Sequence, residues 1–145
     1  MLDFVKEFEL DNVGIFKYSM EKESFSAGLP DHVSEEIKER RYQMLAKAQL
    51  EVVRKKSREF VGKTLSVLVE GYHPESPFLM KGRHFGQCPE IDGQVIINDG
   101  RKVKAFGEFY QVEITEAADY DLIGKVVSGA SSRPKKVKPK PLALV

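Results

Sequence analysis

The spacing of apolar residues in this chain changes near residue 62, and the change decides what each half can fold into. Before it, Ile37, Met44, Leu45, Ala48 and Val52 recur at steps of three, four and seven, the stripe of an amphipathic helix. After it, Leu65, Val67 and Val69 alternate with Ser66, Leu68 and Glu70, the period of a strand with one buried face. The helix is expected over residues 34–59. Ser34 suits an N-cap, and Glu35 and Glu36 suit the positive end of the helix dipole. Glu36–Arg40 and Glu51–Lys55 sit four apart in the favourable order. Arg54, Lys55, Lys56 and Arg58 crowd the last turns and read as a solvated helix end, with Gly62 as the stop.

Beyond the first strand, broken by Pro74 and Pro77, four more are expected: 78–85 around Gly82, 91–98, 107–115 and 119–127. Asp99-Gly100 closes the third, and Tyr110, Val112 and Ile114 share one face of the fourth. Five short strands within about 65 residues suit a small closed antiparallel barrel of OB-like size, since five strands make two poor sheets. Ahead of the long helix, residues 2–10 read as an amphipathic helix and residues 13–19 as a strand. One helix and one strand bury neither face alone. The pair therefore reads as the last αβ unit of a larger barrel, with Met1 inside a helical pattern as the sign of truncation. Val5, Ile15 and Phe16 would then be exposed, or the unit would pack on the long helix or on a second copy. Residues 129–145, with three prolines, five cations and no acid, read as a disordered basic tail. The fold class is α+β, divided into residues 1–33, the linking helix 34–61, the barrel 62–128 and the tail 129–145.

Charge narrows the function. The net charge is +1, but residues 62–128 hold 7 basic against 10 acidic side chains. A surface that grips phosphates needs a basic excess, so this barrel suits a basic protein partner better than RNA. The tail cations could still hold RNA weakly. No apolar run approaches the roughly 18 residues of a membrane span. One cysteine forms no internal disulfide and the N-terminus is no signal peptide, so the cytoplasm is expected and no membrane partner.

Few residue groups suggest chemistry. Cys88 has no second cysteine and reads as a small side chain. His32, His73 and His84 lack ligand spacing and read as solvated. Glu90 and Asp92, two apart on an expected strand, would share one face, but no nucleophile or metal site accompanies them. Lys81 and Arg83 flank Gly82 near Phe85, either as surface charge or as a track for a polyanion. Lys81, Arg83, Glu90 and Asp92 form the candidate partner-binding set.

Two motifs, Cys88-Pro89-Glu90-Ile91-Asp92-Gly93 and Tyr120-Asp121-Leu122-Ile123-Gly124, join a series of ordered anchors. These are Gly14-Ile15-Phe16-Lys17-Tyr18-Ser19 with Glu21, Arg41 to Leu45, Gln49, Gly62-Lys63, Val67 to Gly71, and Gly82-Arg83. In this order they resemble the C-terminal part of the radical-SAM methylthiotransferases, and most closely the RimO type that modifies a ribosomal protein. The resemblance covers about residues 2–124. It implies that residues 1–20 close a radical-SAM barrel and that the strands form a TRAM domain. It also implies a parent enzyme with two [4Fe–4S] clusters and S-adenosylmethionine, which adds a methylthio group to an aspartate of a small-subunit ribosomal protein. Two positions depart from the family: Glu23-Ser24 stands where it usually has Gly-Thr, and Cys88 where alanine is common.

Two other readings stay open: the equivalent segment of the sibling tRNA-adenosine methylthiotransferase, and a stand-alone OB-like RNA-binding module. Glu21 favours the ribosomal-protein branch, because the tRNA branch more often has arginine there. A cluster of the radical-SAM kind needs three cysteine thiolates, and this sequence has one. Anaerobic reconstitution of the chain with iron and sulfide is therefore expected to leave the visible spectrum featureless; a stoichiometric cluster absorbance would contradict it.

Overall fold

The long helix and the first strand meet as the change of period requires. The computed structural model describes residues 1–131. Helix α1 spans Leu2–Phe8 and ends at Glu9, whose left-handed φ of 45° stops it short of the expected residue 10. Helix α2 spans Glu35–Arg58, and the Ser34 hydroxyl accepts the Ile37 N–H, the N-cap expected from the sequence. Strands β1 (Thr64–His73), β2 (Ser76–Arg83), β3 (Val95–Asp99), β4 (Glu108–Ala117) and β5 (Leu122–Ser131) follow. They close into a barrel in the order β1-β2-β3-β5-β4. No helix among the described residues is long and apolar enough to cross a membrane.

The barrel core is the inward-facing alternation read from the sequence. Val67, Val69, Val112 and Ile114 are fully buried, as are Val95 and Ile97 on β3. Each such side chain contributes about 1.5–3 kcal/mol relative to exposure. Tyr110, 1% exposed, spans the same interior. Its hydroxyl accepts the N–H groups of Lys104 and Ala105 and donates to the Ala105 carbonyl, all at 3.0 Å. One buried phenol thus ties down the β3–β4 connection.

Several expectations need correction. The barrel is not wholly antiparallel: β3 and β5 pair in parallel, with Val95 opposite Leu122 and Ile97 opposite Gly124. The third strand starts at Val95 and not at residue 91, because Asp92 bonds back to Cys88 in both directions and folds residues 88–92 into a turn, with Glu90 left-handed at φ 62°. β5 runs to Ser131, so residues 129–131 belong to the barrel. The rest of the expected tail lies outside the described residues. Pro77 lies inside β2 at an unpaired position, where its missing N–H costs no ladder bond.

Residues 13–19 form no strand. A strand needs paired neighbours, and instead α2 takes hold of the segment: Gln49 donates to the carbonyls of Leu10 and Asp11, and Lys38 to that of Tyr18. The αβ unit is thus a helix and an irregular strap packed on α2. Val5 is buried by this packing, Ile15 half-buried, and Phe16 is 91% exposed. On α2, Ala48 and Val52 of the expected stripe are buried, whereas Met44 is 53% exposed.

Tyr110→Phe is expected to remove the acceptor of the Lys104 and Ala105 N–H groups and to cost about 0.5–1.5 kcal/mol. Urea unfolding followed by circular dichroism measures this; an unchanged midpoint would contradict the tie.

Candidate partner-binding groove

Parallel pairing places the N-terminal ends of β3 and β5 side by side. The loop before β3 and the turn before β5 therefore meet at one pole of the barrel. β2 ends at the same pole, since Gly82 faces Val95. So does the entry of α2: the Gly62 N–H donates to the Ile114 carbonyl at 2.8 Å, and the Ile114 N–H to the Lys63 carbonyl at 2.9 Å.

The two sequence motifs interlock there. A Cβ at Gly93 would lie 1.9 Å from the Tyr120 carbonyl oxygen, so only glycine lets the two backbones touch. The Gln94 N–H donates to Asp121 Oδ1 at 2.8 Å, and the Leu122 N–H to the Gln94 carbonyl at 2.9 Å. Gly124 permits a similar approach one strand over, where a Cβ would lie 2.6 Å from the Glu113 carbonyl. These contacts give a physical reason for the small residues in both motifs.

The structure brings all four candidate residues to one groove of about 490 Å³. Lys81 and Arg83 come from β2, Glu90 and Asp92 from the 88–94 loop. Glu70 and Asp121 complete the charged lining, giving four carboxylates against two cations. Arg83 is committed: its Nε lies 2.8 Å from Glu70 Oε1. Asp92 is committed too. Its Oδ2 accepts the Cys88 N–H at 2.7 Å, and its own N–H returns to the Cys88 carbonyl at 3.2 Å. Asp92 therefore builds the turn and is not half of a strand-face pair. The side chains of Lys81 and Glu90 make no hydrogen bond or ion pair among the described residues. Glu90 sits exposed at the turn's apex in its left-handed conformation, which costs a non-glycine residue about 1–2 kcal/mol. Such strain persists only where the surroundings over-determine it, and it concentrates at recognition sites.

Neighbouring groups support the loop. Gln87, nearly buried, accepts the His84 N–H at 3.1 Å. The His84 ring packs between Phe60 and Phe85, with centroids 5.4 and 5.5 Å away, and its Nδ1 accepts the Gly86 N–H. Burial pushes its pKa below the usual histidine value. The neutral ring thus supports the fold above its unfolded pKa, and that support is lost as pH falls through the lowered value. Cys88 is exposed, and His32, His73 and His84 lie apart. Among the described residues no group of three or more His, Cys, Asp or Glu could hold a metal.

The helix-end cations Arg54, Lys55 and Arg58 are exposed, as the sequence suggests, but three of the four cations there carry ion pairs that it does not announce. Arg54 pairs with Asp119 by two hydrogen bonds of 2.7 and 2.9 Å, Lys55 with Glu9, and Lys56 with Asp11. The i,i+4 partners expected for Arg40 and Lys55 are not used. Nothing local announces partners 65, 46 and 45 residues away.

Residues 61–127 match the TRAM domain family. The chain is similar to proteins named ribosomal protein uS12 methylthiotransferase RimO. It is 58% identical to that of Protochlamydia amoebophila over 127 residues, which are 88% of this chain and 27% of the relative. It is 45% identical to that of Chlamydia felis over 130 residues, 90% of this chain and 28% of the relative. For Bdellovibrio bacteriovorus the identity is 43% over 127 residues, with 88% and 27% covered. The chain thus spans just over a quarter of the length of these relatives.

Gly93→Ala is expected to force the 88–94 loop off the 119–121 turn and to cost about 2–4 kcal/mol by overpacking against backbone. Chemical denaturation measures it; full stability in the variant would show that the backbones do not meet.

Proposed function

This chain belongs to the RimO-type methylthiotransferase family, matching the C-terminal part of its members with the TRAM domain included, and on that premise we propose that its barrel docks the protein substrate. The relatives' names give ribosomal protein uS12 as what they modify, and by that likeness uS12 is the partner here. The modification is then a methylthio group added to an aspartate of that protein, in the cytoplasm. The iron–sulfur clusters and S-adenosylmethionine implied by the family do not fit these residues. The sequence has one cysteine, and it is exposed on the groove loop. No chemical step is assigned to this chain.

The observation that supports docking is the groove's charge, four carboxylates to two cations, with Glu90 uncommitted at its edge. A protein that lies against RNA presents lysines and arginines to the phosphates. Opposite potentials steer such a partner in and fix its register. The groove's own ion pair and turn bonds hold its walls before the partner arrives, which lowers the ordering cost of binding. Held in place, the target aspartate meets the catalytic part at high effective concentration.

One observation favours RNA as a second reading. At the opposite pole Tyr72 and Phe106 stack edge to face at 5.2 Å, with Phe78 88% exposed nearby and Arg101 beside it. Exposed aromatics with cations suit unpaired bases.

Glu90→Lys is expected to weaken binding of purified uS12 about three- to tenfold at about 0.15 M salt without altering the circular dichroism spectrum. A chain ending at Ser131 removes the tail cations from the comparison. If that chain ignores uS12 and binds structured RNA tightly, the RNA reading replaces docking.

A further inference from the structure

We infer that Arg54 is a positioning residue for the groove: it fixes the 119–121 turn and, through it, the loop that presents Glu90. The inference rests on the docking reading above. A bidentate guanidinium–carboxylate pair sets orientation as well as distance, and Arg54 makes one with Asp119, Nε to Oδ1 and Nη2 to Oδ2. Asp119 sits in a turn closed by the Ala118 N–H on the Asp121 carbonyl at 2.8 Å. Asp121 then accepts from Gln94, Leu122 donates to Gln94, and the Tyr120 carbonyl lies against Gly93.

The 88–94 loop has few other holds. Its bonds between Cys88 and Asp92 are internal. Among the described residues its hydrogen bonds to the rest of the barrel all leave from Gln94: two reach the 121–122 segment and one reaches His73. The position of Glu90 therefore follows that of the turn, and the turn is braced from outside the barrel by Arg54. Both partners are about half exposed, at 45% and 54%, so the pair adds little to global stability. Its effect is on where the loop stands. Lys55 and Lys56, on the same turn of α2, hold Glu9 and Asp11. One helix turn thus sets the groove relative to the N-terminal unit.

The test uses the full chain and purified uS12 at about 0.15 M salt. Arg54→Ala and Asp119→Ala are each expected to weaken binding about three- to fivefold, with the double variant no weaker than either alone. Exchanging the charges, Arg54→Asp with Asp119→Arg, is expected to restore most of the affinity. The Gln94 amide should exchange faster in Arg54→Ala, while the core amides of Val67 and Val112 stay unchanged. If Glu90→Lys weakens binding and Arg54→Ala does not, the positioning role fails and docking stands. If neither variant changes binding, the docking reading fails and takes the positioning role with it. Core amides that speed up together with Gln94 would make Arg54 a general stabiliser and overturn its positioning role.

Discussion

The parallel pairing of β3 with β5 is the constraint on which the groove depends. Antiparallel neighbours would send the loops before these two strands to opposite ends of the barrel. Parallel neighbours begin together, so the 88–94 loop and the 119–121 turn must share one space. The contact is tight enough to require glycine at position 93 and to satisfy the backbone at Gln94 and Leu122. The barrel also receives α2 at this pole, through Phe60 and Gly62. The groove loops and the link to the N-terminal unit are therefore neighbours by topology.

A rigid support beneath a polar rim follows. The interior is held by β-branched side chains, Leu122 and one buried tyrosine, all of which belong to the barrel itself. The rim is held by individual polar contacts: Arg83 to Glu70, Asp92 to its own turn, Asp121 to Gln94 and Arg54 to Asp119. Each is worth little to stability at the surface. Together they leave Glu90 and Lys81 as the groove's uncommitted charges among the described residues.

The legible parts of the fold were those fixed by local pattern. The 3.6-residue stripe and Ser34 located α2, and the alternation at Val67, Val69, Tyr110, Val112 and Ile114 located the core. What the pattern hid was non-local. No period distinguishes a parallel from an antiparallel partner, so the β3–β5 pairing was missed. Residues 13–19 have strand propensity but no strand to pair with, and context overrode it. Glu90 and Asp92 looked like alternate strand residues because a left-handed glutamate has no sequence signature. Lys81, Arg83, Glu90 and Asp92, read from the sequence as a candidate set, do line one groove, because the strand and loop that carry them end at the same pole. The Arg54–Asp119 pair has no local signature, since its partners lie 65 residues apart.

Hydrogen exchange of the full chain, with and without purified uS12, tests most directly that the α2 pole is the docking face. The account predicts slowed exchange over residues 81–94 and 119–122 when uS12 is added, with residues 72–78 and 101–106 unchanged. Protection confined to that opposite, aromatic pole, or appearing with RNA and not with uS12, would contradict it.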